Sequence, residues 1–94
     1  MPRITPMSSL AAPVAAAEPA ATTFFSLQAR AEPGVMPRVL ELFAKRGLVP
    51  ELWHSAVVRK RLTIDIEVAG LGDTSDYVAN CLRQITGVEV VLTA

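Results

Sequence analysis

RLTIDIEV, residues 61–68, alternates without a break. Leu62, Ile64, Ile66 and Val68 are apolar, while Arg61, Thr63, Asp65 and Glu67 are polar. A β-strand sends successive side chains to opposite faces, so this run offers one face to a core and one to water. Such a strand belongs to an antiparallel sheet that is covered on one side only.

Working outward, residues 58–61 are a short polar link, which makes a hairpin with the segment before it. That segment, residues 48–58, reads as extended. It contains Pro50, which cannot donate to a ladder and so belongs at a sheet edge or bulge. Residues 24–30 form another alternating run, with Phe25, Leu27 and Ala29 on one face and Ser26, Gln28 and Arg30 on the other. Glu32, Pro33 and Gly34 break it. The apolar positions Val35, Met36, Val39, Leu40, Leu42 and Phe43 then predict a helix with a wide apolar stripe. Pro37 is tolerated in the first turn, where an N–H has little to bond. Lys45 and Arg46 suit the negative helix end, and Gly47 supplies a left-handed cap.

Downstream, Gly70 and Gly72 break the chain. Asp73 or Thr74 offers an N-cap, with Asp76 in the first turn. Val78, Cys81, Leu82 and Ile85 carry helical spacing, and Gly87 ends that helix. Residues 88–92 are a last strand, with Val88, Val90 and Leu92 assigned to one face. The order is strand, helix, strand, strand, helix, strand. With one apolar face per strand and one stripe per helix, both helices pack on the same side of the sheet. The expected architecture is α+β, a ferredoxin-like βαββαβ unit with a four-stranded antiparallel sheet. The first and third strands are central and the second lies at an edge.

The chain has 94 residues and zero formal net charge, so one domain is the limit and no global field draws nucleic acid or an anionic membrane. Residues 1–22 are dominated by Ala, Pro, Ser and Thr and read as a disordered tail, leaving residues 23–93 as the folded unit. Arg3 followed by Leu10, Val14 and several alanines faintly resembles a secretory signal, but Pro13 interrupts it. No run approaches the roughly 20 apolar residues of a membrane span. Cys81 is the only cysteine, which excludes an intramolecular disulfide or a cysteine-based zinc cluster and fits a cytoplasmic location.

No catalytic set emerges. The loop of residues 31–34 carries a negative charge where an acylphosphatase-like enzyme would need an Arg to cradle phosphate. A metal carrier would need paired cysteines in the same loop. On the third strand, Thr63, Asp65 and Glu67 form a wet face that repels RNA phosphates. His54 is the only histidine, and Ser55 beside it points to the opposite face of a strand. Cys81 reads as a small core residue of the second helix. Asp65 and Glu67 read as a solvated pair rather than an acid/base couple. What remains is the turn Ala31, Glu32, Pro33, Gly34, Val35. It puts backbone N–H groups and a positive helix end beside a glycine, which suits the carboxylate of an amino acid as well as it suits a plain turn.

Residues 28–47 resemble the opening of an ACT domain, an amino-acid-sensing regulatory module. Within that group they are most similar to the short type of small, regulatory subunit of acetolactate synthase. Pro33, Gly34 and Val35, then Arg38 and Val39, Leu42 and Phe43, and Arg46 and Gly47 carry the likeness. Residues 82–90 resemble the family's closing helix, turn and valine-rich strand. The resemblance implies a non-catalytic accessory subunit in branched-chain amino acid biosynthesis. The large catalytic subunit would hold thiamine diphosphate and Mg²⁺, with FAD as a further candidate, and this chain would hold no cofactor and no metal. It also implies an effector loop at residues 31–35 for a branched-chain amino acid. The family's amino-acid-holding Asn corresponds to Ala31, which has no side-chain hydrogen bond to give. A homodimer is expected through the second strand, with Leu52, Trp53 and His54 where two edges meet. The alternatives are a stand-alone amino-acid-binding ACT dimer that regulates another protein, and a purely structural partner.

Overall fold

The computed structural model describes residues 21–94. Its elements are β1 (Thr22–Arg30), α1 (Val35–Lys45), β2 (Leu52–Val58), β3 (Arg61–Ala69), a 3₁₀ turn (Gly72–Thr74), α2 (Ser75–Arg83) and β4 (Val88–Thr93). The strands form one sheet in the order β2-β3-β1-β4, with every neighbouring pair antiparallel. The two alternating runs are therefore the central pair. Phe25 lies opposite Ile66, Leu27 opposite Ile64 and Ala29 opposite Leu62. All six are buried, together with Val35, Val39 and Phe43 of α1 and Val78, Ala79 and Leu82 of α2. The Phe25 and Phe43 rings meet with centroids 6.3 Å apart at 52°, a tilted contact that ties α1 to the sheet.

Helix α1 ends as its sequence predicts. Gly47 has φ 68°, its N–H donates to Ala44 O at 3.0 Å, and the Leu48 N–H donates to Phe43 O at 2.9 Å. This is the Schellman arrangement, and it recruits Leu48 into the helix cap. The expected strand over residues 48–58 therefore begins only at Leu52, beyond Pro50. The buried stripe of α1 is also narrower than the spacing suggested. Leu40 is half-exposed, because only the row Val35, Val39, Phe43 points at the sheet.

Three further expectations are corrected. Neither Asp73 nor Thr74 caps α2 with its side chain. The Thr74 hydroxyl donates back to Leu71 O at 2.6 Å, within a 3₁₀ turn that leads into the helix. Cys81 is only half-buried, with its Sγ 3.3 Å from Arg46 Nη2. In β4, Ala29 faces Val88 but Gln28 faces Val90, so Glu89 is an extra residue in the ladder. A bulge of one residue flips the faces beyond it. Val91 is consequently buried, while Val90 and Leu92 join the open face rather than sharing one with Val88.

The expected tail, residues 1–22, lies outside the described residues apart from its last two. The Gly70 N–H donates to Ala21 O, and Thr22 pairs with Ala69 in the first row of β1. At the other end Ala94 exchanges both backbone hydrogen bonds with Phe24, extending the ladder one residue beyond Thr93.

The β2–β3 hairpin turns on two residues, Arg59 with φ 52° and Lys60 with φ 68°. Both are left-handed, as a type I′ turn requires, yet neither is Asn or Gly. Holding a side chain there costs roughly 1 kcal/mol. Lys60→Gly should therefore raise the melting temperature by about 4–8 °C, measured by circular dichroism.

Candidate functional site

The loop between β1 and α1 is built by short local bonds. The Glu32 N–H donates to Arg30 O at 2.8 Å, and the Val35 N–H donates to Glu32 O at 3.2 Å. The chain thus reverses within residues 32–35 and enters α1 directly. No side chain caps the helix, and no acidic residue occupies its first turn. Its amino end therefore keeps its positive character toward the solvent.

Gly34 does not have the left-handed backbone that would have made it obligatory. Its φ is −80°, inside the right-handed helical region. What bears on it is Arg38, whose guanidinium lies about one turn on. A Cβ at Gly34 would sit 3.1 Å from that group. The same guanidinium reaches the Thr86 carbonyl, with Nη1 at 3.5 Å. The strained glycine of the site is instead Gly87, at φ 99°. A Cβ there would meet Val35 Cγ2 at 2.8 Å, and the Gly87 carbonyl accepts from the Arg30 N–H at 2.9 Å. The loop after β1 and the turn before β4 are therefore one interlocked unit.

Beside this unit is an open hollow of about 190 Å³, lined by Ala31, Glu32, Pro33, Met36, Val57 and Leu62. Of the five expected loop residues it gathers Ala31, Glu32 and Pro33. Val35 is fully buried beneath the loop, and Gly34 is half-buried beside it. Glu32 is the only charged residue in the lining, and its carboxylate lies 4.0 Å from Arg30 Nη1. Met36, Val57 and Leu62 were not foreseen as lining residues. Val57 enters because its side chain faces the helix side, as its pairing with Leu62 requires. Period-2 reading from residue 62 would have placed it, once the hairpin register was known.

Leu52, Trp53 and His54 do lie on the free edge strand. They are not beside the loop. Val58 pairs with Arg61 at the loop end, and His54 pairs with Asp65 further along, about 13 Å away at the usual rise per residue. Leu52 and His54 face away from the helices, and Trp53 packs against the core. His54 Nδ1 is 4.0 Å from Asp65 Oδ2, with both side chains more than half exposed. Among the described residues there is no group of three His, Cys, Asp or Glu side chains placed to hold a metal ion. No described helix is long and apolar enough to cross a membrane.

A separate cluster links the two helices. The Arg46 guanidinium lies over the Tyr77 ring, 4.8 Å from its centroid, and donates to the Tyr77 hydroxyl at 3.4 Å. That hydrogen bond, ahead of the charge interaction with Cys81, raises the Arg46 pKa from its usual value. The contact reinforces the α1–α2 packing.

An open antiparallel sheet with two helices on one face defines the class of small ferredoxin-like domains. The model of the ACT-like domain family matches residues 16–94, and the chain belongs to that family. The fold is similar to that of the ACT domain from GTP pyrophosphokinase of Chlorobium tepidum. The TM-score is 0.68 at 12% identity, over 78% of this chain and 96% of that one. It is also similar to the C-terminal domain of the MgtC protein from Mycobacterium tuberculosis, with TM-score 0.62 at 13% identity over 78% of this chain and 84% of that one. The regulatory subunit of aspartate kinase from Thermus flavus matches with TM-score 0.59 at 17% identity, over 79% of this chain and 51% of that one. No curated protein matches in sequence. ACT domains are typically regulatory and amino-acid-binding, and they commonly dimerise and partner the enzymes they regulate.

The two glycines should separate sharply on substitution. Gly87→Ala is expected to cost about 2–3 kcal/mol in urea unfolding, because strain and a clash with Val35 combine. Gly34→Ala should cost less than about 1 kcal/mol, since only the flexible Arg38 side chain must move.

Proposed function

We propose that this chain is the non-catalytic accessory subunit of an acetolactate synthase, stabilising the active arrangement of the large catalytic subunit. In this reading thiamine diphosphate, Mg²⁺ and any FAD belong to that partner, and the complex is cytoplasmic. The chain supplies binding surface alone. The observation that carries the proposal is the loop of residues 31–35 with its neighbours. Glu32 stands at the rim of a hollow beside an uncapped helix start, a pairing that suits the amino and carboxylate groups of a free amino acid. The positions that carry the resemblance to the small subunit also bear this geometry. Val35, Val39 and Phe43 are core residues, Arg38 braces Gly34, and Arg46 with Gly47 closes α1.

A homodimer through β2 fits the same reading. Two-fold pairing of antiparallel edge strands lays the partner's Leu52–His54 end beside the loop end of this β2. The hollow would then be closed by a second copy. Ala31 leaves the effector's polar group without a side-chain partner, so valine occupies the site weakly.

A second reading is favoured by the ACT domain from GTP pyrophosphokinase and the regulatory subunit of aspartate kinase, which share this fold. Here the chain is a stand-alone amino-acid-binding dimer that serves a different enzyme. Isolation of the native complex and an acetolactate assay discriminate between the two.

Reconstitution with a catalytic acetolactate synthase subunit should raise or stabilise its activity, with little inhibition by valine below millimolar concentration. Ala31→Asn should tighten valine binding by about 10- to 150-fold, the worth of one hydrogen bond to a charged ligand group. Calorimetric titration of valine checks this. No activation of the catalytic subunit would overturn the assignment. Strong sub-millimolar inhibition with Ala31 in place would overturn the account of the loop.

A further inference from the structure

The sheet face opposite the helices is not the uniformly polar surface that its central strand suggests. Phe24, Leu52, Val58, Val90 and Leu92 all lie on it, and each is more than a third exposed. Phe24 and Leu52 occupy the same cross-strand row as Glu67, and Leu92 occupies the next row with Asp65 and Ser26. Between them is an apolar hollow of about 230 Å³.

The face is also polarised along the strands. Asp65 and Glu67 stand at one end, with His54 4.0 Å from Asp65 beside them. Arg61 and Arg30 pair at the other end, next to Arg59 and Lys60 of the hairpin turn. Glu89, which pairs with Arg61 and with Arg30 at 3.9 Å, offsets only part of that charge. A chain of zero net charge therefore carries one acidic and one basic end on a single flat face.

We propose that this face binds the same face of a second copy, with the two-fold axis in the plane of the sheets and perpendicular to the strands. That axis reverses the rows. Leu52 then lies over the second copy's Val58, Leu92 over its Val90, Glu67 over its Arg61 and Phe24 over its Arg30. Apolar meets apolar, carboxylate meets guanidinium, and a ring meets a cation. The other in-plane axis, parallel to the strands, brings the two acidic ends to the same side and lays Arg61 over Arg30, leaving no carboxylate over a guanidinium, so charge disfavours it. Aligned sheets pack in this way about 10 Å apart. Four strands of this length present roughly 500 Å² per copy at standard spacings, or about 1,000 Å² in all, the lower bound for a specific interface. The contact is separate from the β2 edge, so the two together build a tetramer.

Sedimentation equilibrium of the full chain up to about 100 µM, where an interface of that size persists, tests the proposal. Leu92 is on β4, the edge remote from β2. Leu92→Glu, at an exposed position, and Glu67→Arg, at a half-buried one on the open face, should each weaken one association step by at least about tenfold while the chain still unfolds cooperatively by circular dichroism. Glu67 and Arg61 are about 20 Å apart on one strand and cannot touch within a copy. The double variant Glu67→Arg/Arg61→Glu should therefore regain association lost in Glu67→Arg. A parent chain that stays monomeric, an unchanged association in Leu92→Glu, or a double variant no better than Glu67→Arg would each overturn the proposal.

Discussion

The rest of the structure depends on the pairing of β1 with β3. Each strand has apolar side chains on one face only, and their register superimposes those faces row by row. A sheet built on this pair can accept helices on one side alone. Both crossovers must then return over the same face, which places α1 and α2 together and leaves the second face without a covering layer. The uncovered face is thus a consequence of the same alternation that makes the core.

The covered side sets the position of the loop. Val35 is buried at the first turn of α1 and meets the turn at Gly87, so the start of the helix is clamped between the end of β1 and the start of β4. The bond from the Arg30 N–H to the Gly87 carbonyl completes that clamp. A helix start held this rigidly presents its N–H groups in a constant direction, which is what a small charged ligand requires. The hollow beside it also depends on β2, because Val57 forms its far wall. Loop, hairpin and edge strand therefore line one hollow, and whatever associates along β2 would reach it.

The bulge in β4 has an effect on the opposite side. Glu89 shifts the register by one residue, which buries Val91 and turns Val90 and Leu92 outward. The same residue supplies the carboxylate that holds Arg61 and Arg30 on the open face. One inserted residue thus creates both an apolar strip and a charge cluster there.

Much of this was legible along the chain. Alternation in residues 61–68 and 24–30, the stripe of α1 and the glycine at its end are local signals with local causes, and strand order followed from them. The limit of β2 was not legible, because Leu48 is claimed by the helix cap and this competition shows only in the folded geometry. Nor was the face assignment of β4, since a bulge is decided by how β4 must meet β1 and not by its own periodicity. At the site, the loop residues 31–35 were named from the sequence, while Met36, Val57 and Leu62 were supplied by elements that only pairing brings near. Gly34 and Gly87 show the division most clearly. In the sequence both are glycines at helix ends, but the tertiary structure alone sets Gly87 against Val35 and gives Gly34 an ordinary helical backbone. Local chemistry determined which elements form, and packing between distant segments decided which residues those elements expose, bury or strain.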